Sequence, residues 1–246
     1  MHRFFVNKDQ IEDKTIRIEG QDAHHIKNVL RMIPGEELLV SDGDKMEYNC
    51  VVEALDDDHV LAKIRFVEES GLELSSKIYL FQCLPKSDKM ELIIQKAVEL
   101  GACEIIPVAS ARCVVKLDAK KEAGKIKRWQ GISESAAKQS KRMYVPLVKN
   151  VMKFQEALSY ARTMDVRLIP YELAKGMAAT RETIEKIKPG QSVAVFIGPE
   201  GGFEESEIQA AMDQGVLPIT LGKRILRTET AGFTVLSILM YHLETN

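Results

Sequence analysis

Two segments toward the C-terminal end carry the residues best suited to chemistry. They are Phe196-Ile197-Gly198-Pro199-Glu200-Gly201-Gly202-Phe203 and Leu221-Gly222-Lys223-Arg224-Ile225-Leu226-Arg227-Thr228-Glu229-Thr230-Ala231. Each follows an apolar, strand-like run and leads into a helical pattern. Glycine permits positive φ and lets the backbone approach a ligand closely, and Pro199 stiffens the entry to the turn. Open α/β sheets bind ligands at such strand ends, so the pair of loops predicts one shared small-molecule site. The first loop lacks the Lys-Ser/Thr ending of a phosphate cradle and the G-x-G-x-x-G spacing of a dinucleotide fingerprint. Glu200, followed by Glu204, Glu205 and Glu207, opposes a polyanion. A positively charged ligand, or a neutral adenosine held by main-chain groups, fits better. Taken alone, the loop reads equally well as a tight turn whose acids favour a helix N-terminus. The second segment adds Thr228 as a helix cap, Thr230 and main-chain N–H groups as donors, and Lys223, Arg224 and Arg227 as cations. Arginine suits bidentate contact with phosphate or an anionic base edge.

The elements that position these loops follow from residue 76 onward. Strand and helix patterns alternate there, the mark of a parallel sheet. Strands are expected at 77–84, 103–108, 166–170, 192–198 and 216–221. Helices are expected at 88–100, across most of 118–141, and at 153–162, 204–214 and 228–243. Asp88 with Glu91 has the capping-box spacing, and Gly101 ends that helix. The final helix has almost no polar face, unlike an amphipathic surface helix; either it is buried on all sides or a partner subunit covers its outer side, and a terminal helix in a small domain favours the second. Residues before 72 read differently: short strands at 3–6, 15–18, 37–41, 46–54 and 59–67, with one helical stretch at 23–31 on which Ile26, Val29 and Leu30 share a face. That pattern predicts a compact barrel, joined to the second domain by a polar linker over 68–73. The expected domains are therefore 1–72 and 73–246.

The 246 residues suffice for these two domains. No apolar run reaches membrane-span length, and the N-terminus lacks the h-region of a secretory signal. Cys50, Cys83, Cys103 and Cys113 are far apart, with no C-x-x-C pair, which argues against a zinc site or disulfide framework and for a cytoplasmic protein without a metal. Asp56-Asp57-Asp58 reads as a hairpin turn, and Trp129 as a core anchor. His24 and His25 do not face one way on a helix. The net charge of −2 hides an asymmetry: residues 1–74 carry 9 Lys+Arg against 17 Asp+Glu, and residues 75–246 carry 25 against 19. Between Lys116 and Lys149 the count is 10 basic to 3 acidic. Such a local basic field attracts phosphate backbones even in an acidic chain; a solvated helix face accounts for the composition equally well.

Taken together, the G-P-E-G-G and L-G-x-R-I-L-R-x-E-T-A motifs resemble those of the small-subunit rRNA uridine-N3 methyltransferases of the SPOUT superfamily. His25 through Val29-Leu30-Arg31 and Gly35 look like that family's H-x-x-x-V-L-R-x-x-x-G stretch. Leu84-Pro85-Lys86, Gln95-Lys96-x-x-Glu99-Leu100-Gly101 and Arg112 are similar to its first methyltransferase-domain motifs. Gln139-Ser140-x-Arg142 followed by Pro146 is similar to its E-Q-S-G-R-x-x-x-P stretch, with Lys138 and Lys141 where Glu and Gly are commoner. The resemblance implies an α/β SPOUT domain with a C-terminal trefoil knot, preceded by a PUA-like β-barrel that docks RNA. It implies S-adenosylmethionine (SAM) in the knot loops, held by Ile197, Gly198, Pro199, Glu200, Gly201, Gly202, Leu221, Gly222, Leu226, Thr228, Thr230 and Ala231. It implies a homodimer through the last helix, acting on 16S rRNA of the small ribosomal subunit to make 3-methyluridine in the decoding region. Arg31, Lys86, Lys116, Lys138, Lys141, Arg142 and Arg224 are expected to contact RNA.

The chemistry of that reaction names further candidates. Uracil N3 carries a proton and is a poor nucleophile until that proton leaves. A fixed cation beside O2 or O4 stabilises the developing anion, as an oxyanion hole does. Arg142, Arg112 and Arg227 are the expected cations; Glu229 is the carboxylate best placed in sequence for a general base, or it serves only to anchor the helix start. Two other readings compete: methylation of a ribose 2′-hydroxyl in another RNA, and a non-catalytic RNA-binding assembly factor. The intact glycines and the arginine-rich second loop weigh against the last of these.

Overall fold

The computed structural model describes residues 1–44, 46–69, 71–172, 174 and 176–244. The chain forms two units: Met1–Glu73 with Ala137–Val145, and Leu74–Ala136 with the chain from Pro146 on. Ser70 of the expected linker lies outside the described residues.

The first unit is built on six strands: β1 (His2–Phe5), β2 (Ile11–Glu12), β3 (Thr15–Glu19), β4 (Glu37–Ser41), β5 (Met46–Leu55) and β6 (His59–Glu69). They form one sheet in the order β1-β4-β5-β6-β3-β2. β1 runs parallel to β4, and the other neighbours are antiparallel. Side chains alternate across a strand, so Ile16 and Ile18 of β3 and Leu38 and Val40 of β4 enter one core with Phe4, Val52, Val60 and Ala62. A short α1 (Gly20–His24) continues into a π-helical turn at His25–Val29. There Leu30 N–H donates to His25 O at 2.9 Å and Met32 N–H to Ile26 O at 3.0 Å. This wide turn breaks the regular helix expected at 23–31. Ile26 is buried, but Val29 is 60% exposed and does not share its face.

Residues 137–145, placed by sequence in the second domain, are held by the first unit through a chain of buried charges. Glu73 accepts the Arg142 Nε–H at 2.8 Å and the Met143 N–H at 2.7 Å, and its carboxylate lies 2.7 Å from Arg142 Nη2 in an ion pair. Arg3 donates to the Arg142 carbonyl at 3.1 Å and pairs with Glu47, while the Ser41 hydroxyl donates to the Met143 carbonyl. Backbone carbonyls and charges out of water need such partners. Lys138 joins the same surface, 2.6 Å from Asp22.

The second unit alternates strand and helix. In chain order it comprises β7 (Lys77–Cys83), α2 (Lys89–Glu99), β8 (Ala102–Ala109), α3 (Ala119–Gln139), β9 (Leu147–Val148), β10 (Met152–Lys153), α4 (Phe154–Ala161), β11 (Val166–Pro170), α5 (Met177–Glu185), β12 (Ser192–Ile197), α6 (Glu205–Asp213), β13 (Leu217–Ile219) and α7 (Thr228–Leu243). The last three residues of α3 belong to the first unit. The sheet is parallel, in the order β10-β8-β7-β12-β11-β13, with β9 beside β8. Strands covered on both faces read as near-continuous apolar runs, as β12 does and as β7 does but for Lys77 and Gln82; Phe81 and Phe196 stack at 4.4 Å between ring centres. Trp129 is buried in this unit.

Three local expectations change. Asp88 sits at the N-cap of α2 but makes no side-chain cap bond, because the chain enters through Ser87 at φ +58° and Asp88 has φ −93°, ψ 14°, outside the extended region a capping residue adopts. Glu91 is instead 2.9 Å from Arg128. Helix α5 was not expected; only Thr180 and Ile184 of its residues are buried, too sparse a pattern to read. Arg227, not Thr228, occupies the N-cap of α7.

Candidate active site

The site grows from three neighbouring strand ends. β11 lies between β12 and β13, and all three are parallel, so the loops leaving their C-terminal ends stand side by side. These are the positions at which open α/β sheets bind ligands. The loop after β12 turns through a Gly202 N–H to Pro199 O bond of 2.9 Å, with Gly202 at φ +67°. Phe203 closes its floor: a Cβ added at Gly198 would lie 3.2 Å from the Phe203 ring. The loop after β13 passes through Gly222 at φ +109°. Its start is fixed by Thr180 of α5, whose Oγ1 accepts the Thr220 N–H at 2.9 Å. The loop after β11 is fixed by its Tyr171 N–H, which donates to Ile219 O at 2.9 Å.

Together these loops bound a cavity of ≈ 760 Å³, within the range of small-molecule pockets. Ile197–Phe203, Thr220–Thr228 and Ala231 line it, with Pro170, Tyr171, Glu172, Lys89 and Arg112. A Cβ at Gly202 or Gly222 would meet no protein atom within 4 Å, so the space beside both backbones is open.

A buried polar stitch joins the two glycine loops. The Thr228 hydroxyl donates to Gly198 O at 2.6 Å and accepts from Gln82 Nε2 at 2.9 Å. Gln82 is fully buried and also donates to Cys83 O at 3.0 Å. Arg112 holds the first loop from the other side, donating from Nη1 to Gly201 O at 2.9 Å. Glu200 accepts from the Lys86 N–H and from Lys89 Nζ, each at 3.1 Å. Partial burial works against the Glu200 charge, but hydrogen bonds from its own N–H, Lys89 and the Lys86 N–H outweigh it and hold its carboxyl below the usual range. Lys89 also lies 3.4 Å from Glu229.

The expected residues divide by location. Ile197, Gly198, Pro199, Glu200, Gly201, Gly202, Leu221, Gly222, Leu226, Thr228 and Ala231 line the cavity, as do Arg112, Arg224 and Arg227. Thr230 and Glu229 are not among the lining residues. Helical spacing gives the reason: Thr228 and Ala231 share the face toward the cavity, while the two residues between them turn away. Thr230 is exposed and Glu229 points to Lys89. Lys86 and Lys116 are exposed in the second unit. Arg31 and Lys141 are exposed in the first unit, where Lys138 is half-buried and Arg142 buried. Burial works against the Arg142 charge, and Glu73 more than offsets it. The described residues contain no group of His, Cys, Asp and Glu able to hold a metal ion.

Sequence reading missed Gln82, Lys89, Tyr171 and Glu172. Gln82 had a signal, a lone amide inside the apolar run Tyr79–Leu84. Pro170 closing an apolar strand marked the third loop, with Lys175-Gly176 a few residues further on in the sequence.

The chain as a whole matches one class, the RNA methyltransferases with a PUA domain. The RNA methyltransferase domain model matches residues 72–240, and the RNA methyltransferase PUA domain model matches residues 18–65. A Bacillus subtilis protein named ribosomal RNA small subunit methyltransferase E is 38% identical over 250 residues, spanning 99% of this chain and 98% of that one. A solved ribosomal RNA small subunit methyltransferase E from Neisseria gonorrhoeae, bound to S-adenosyl methionine, has a TM-score of 0.85 at 32% identity and covers 98% of this chain and 97% of its own. A Legionella pneumophila chain solved with the cofactor SAM has the same score and identity, covering 97% and 96%. The chain belongs to the ribosomal RNA small subunit methyltransferase E family.

Proposed function

We propose that this protein transfers a methyl group from SAM to N3 of one uridine in 16S rRNA, giving 3-methyluridine. The observation that carries the reading is the cavity at three adjacent parallel strand ends, walled by backbone from two glycine loops. The residues fit SAM. Gly202 and Gly222 leave open space beside the main chain, so peptide N–H and C=O groups can meet an adenosine. No phosphate cradle is present among the lining residues, which carry the carboxylates Glu172 and Glu200 beside the cations Lys89, Arg112, Lys223, Arg224 and Arg227. Two solved relatives hold SAM.

When bound, SAM supplies an electrophilic methyl group on a sulfonium, which needs little activation. The chain's own task is the acceptor. Arg227, exposed at the cavity and standing at the N-cap of α7, would stabilise the uracil N3 anion through O2 or O4. Arg224 beside it would take a phosphate. Arg112 acts through the first loop, which it holds at Gly201. Arg142, the other cation the chemistry calls for, is buried in the first unit, where its pair with Glu73 favours its charged form. Glu229 faces Lys89, so in this reading the N3 proton leaves to water rather than to that carboxylate. The target base leaves its stack to reach the methyl group.

The same reading includes the finer features of the resemblance: a trefoil knot in the second unit, cytoplasmic rRNA or the small ribosomal subunit as partner, and a homodimer. The described residues contain no helix long and apolar enough to cross a membrane. On α7, Tyr241 is 87% and Ile238 37% exposed, a suitable apolar surface for a second copy. Calorimetry of the full chain with SAM tests the reading. One site per chain is expected; no binding would overturn it.

A further inference from the structure

Strand order decides which part of an elongated cofactor each loop can reach. β11 lies between β12 and β13, so the Tyr171–Glu172 loop is the middle one of three. Glu172 is exposed and lines the cavity. Among the described residues it has no hydrogen-bond or ion-pair partner. The cavity's other carboxylate is engaged: Glu200 takes the Lys86 N–H and the Lys89 ammonium. Glu172 is therefore the acceptor-only side chain still available in the lining, since an ionised carboxylate accepts through two oxygens and donates nothing.

SAM has three parts in series: adenine, ribose and methionine. The outer loops leave open space beside the backbone at Gly202 and at Gly222, suited to holding the two ends. The middle loop brings a carboxylate, and the middle part of SAM is a ribose whose vicinal hydroxyls are two adjacent donors. One carboxylate can accept both, as acidic residues do for the ribose of dinucleotides. Lys223, Arg224 and Arg227 on the neighbouring loop offset the charge this places in the cavity.

We propose that Glu172 is the ribose-recognition residue of the cofactor site, accepting both hydroxyls of the bound nucleoside. The inference rests on the SAM reading above. It predicts a site that rejects deoxy analogues, because they leave the carboxylate short of a donor.

The test is calorimetry on full-length wild type, Glu172→Ala and Glu172→Gln, with SAM, 5′-methylthioadenosine and a 2′-deoxy analogue of the latter. Methylthioadenosine keeps adenine and ribose but lacks the amino-acid end. Both variants should keep the ligand-free melting temperature, since Glu172 is exposed. Glu172→Ala should weaken SAM and methylthioadenosine by the same factor, about ten- to a hundredfold for hydrogen bonds to a charged group. The deoxy analogue should bind wild type more weakly than methylthioadenosine does, and that difference should shrink in the variant. Equal SAM affinity in wild type and variant would overturn the proposal, as would a loss seen for SAM but not for methylthioadenosine, which would place Glu172 at the amino-acid end. Wild type that binds no SAM would instead overturn the functional reading on which this one stands.

Discussion

The Thr228 hydroxyl reaches the Gly198 carbonyl at 2.6 Å, tying the first turn of α7 to the end of β12 across 30 residues of sequence. The same oxygen accepts from Gln82, so one side chain fixes both glycine loops to β7. Replacing Thr228 by Val keeps the shape and removes the polar stitch. Two buried groups lose a partner, which costs about 1–3 kcal/mol and lowers Tm by about 2–4 °C per kcal/mol. SAM affinity should fall with it, as read by calorimetry. Unchanged stability and affinity would show that the loops hold their places without this bond.

Two glycines should respond in opposite directions. Gly222 has φ +109°, where an L side chain is strained, so Gly222→Ala should cost about 1–3 kcal/mol and weaken SAM. Gly131 lies within α3, with nothing within 4 Å of an added Cβ. Gly131→Ala should stabilise by about 0.5–1 kcal/mol. Thermal melts of both variants check the pair of signs.

Glu200 gives a pH signature. Its carboxyl is held below the ordinary range in the folded chain, so its contribution is full above the unfolded value of about 4.3. That contribution falls away as pH drops through the lower folded value. Wild type should melt above Glu200→Gln at pH 6, and the gap should close below about pH 4. The gap will be modest, because the side chain is 28% exposed. A gap that widened toward acid would contradict the assignment of the Lys89 and Lys86 contacts.

Arg142 can be separated into its structural and chemical parts. Arg142→Ala leaves the Glu73 carboxylate without its bidentate partner, a loss of about 3 kcal/mol for a largely buried pair. The double variant Glu73→Ala/Arg142→Ala should recover part of that stability while turnover stays low and SAM affinity stays near wild type. Recovered turnover in the double variant would leave Arg142 with only its role in holding residues 137–145.

The parts of the site legible in the sequence were those made by residue type. Gly198, Gly202 and Gly222 announced turns at strand ends, and the apolar runs of β7 and β12 announced a parallel sheet. What escaped depended on three-dimensional neighbours. Nothing in the sequence around Glu172 says that β11 lies between β12 and β13; strand order is a long-range property. Gln82 was visible as a polar residue in an apolar strand, but its partner Thr228 is 146 positions away. The pairing of Glu73 with Arg142 is equally non-local, and it holds residues 137–145 in the first unit although they begin within the last turn of α3. The π-helical turn at His25–Val29 shows the other limit: apolar spacing fits a regular helix there, and the backbone widens instead.

The most direct test uses the purified protein, 16S rRNA or small ribosomal subunits, and SAM carrying a deuterated methyl group, followed by nucleoside mass spectrometry of the RNA. The account predicts label in 3-methyluridine, at one site per RNA. Label in a 2′-O-methyl nucleoside, or none with either substrate while SAM still binds, would contradict it.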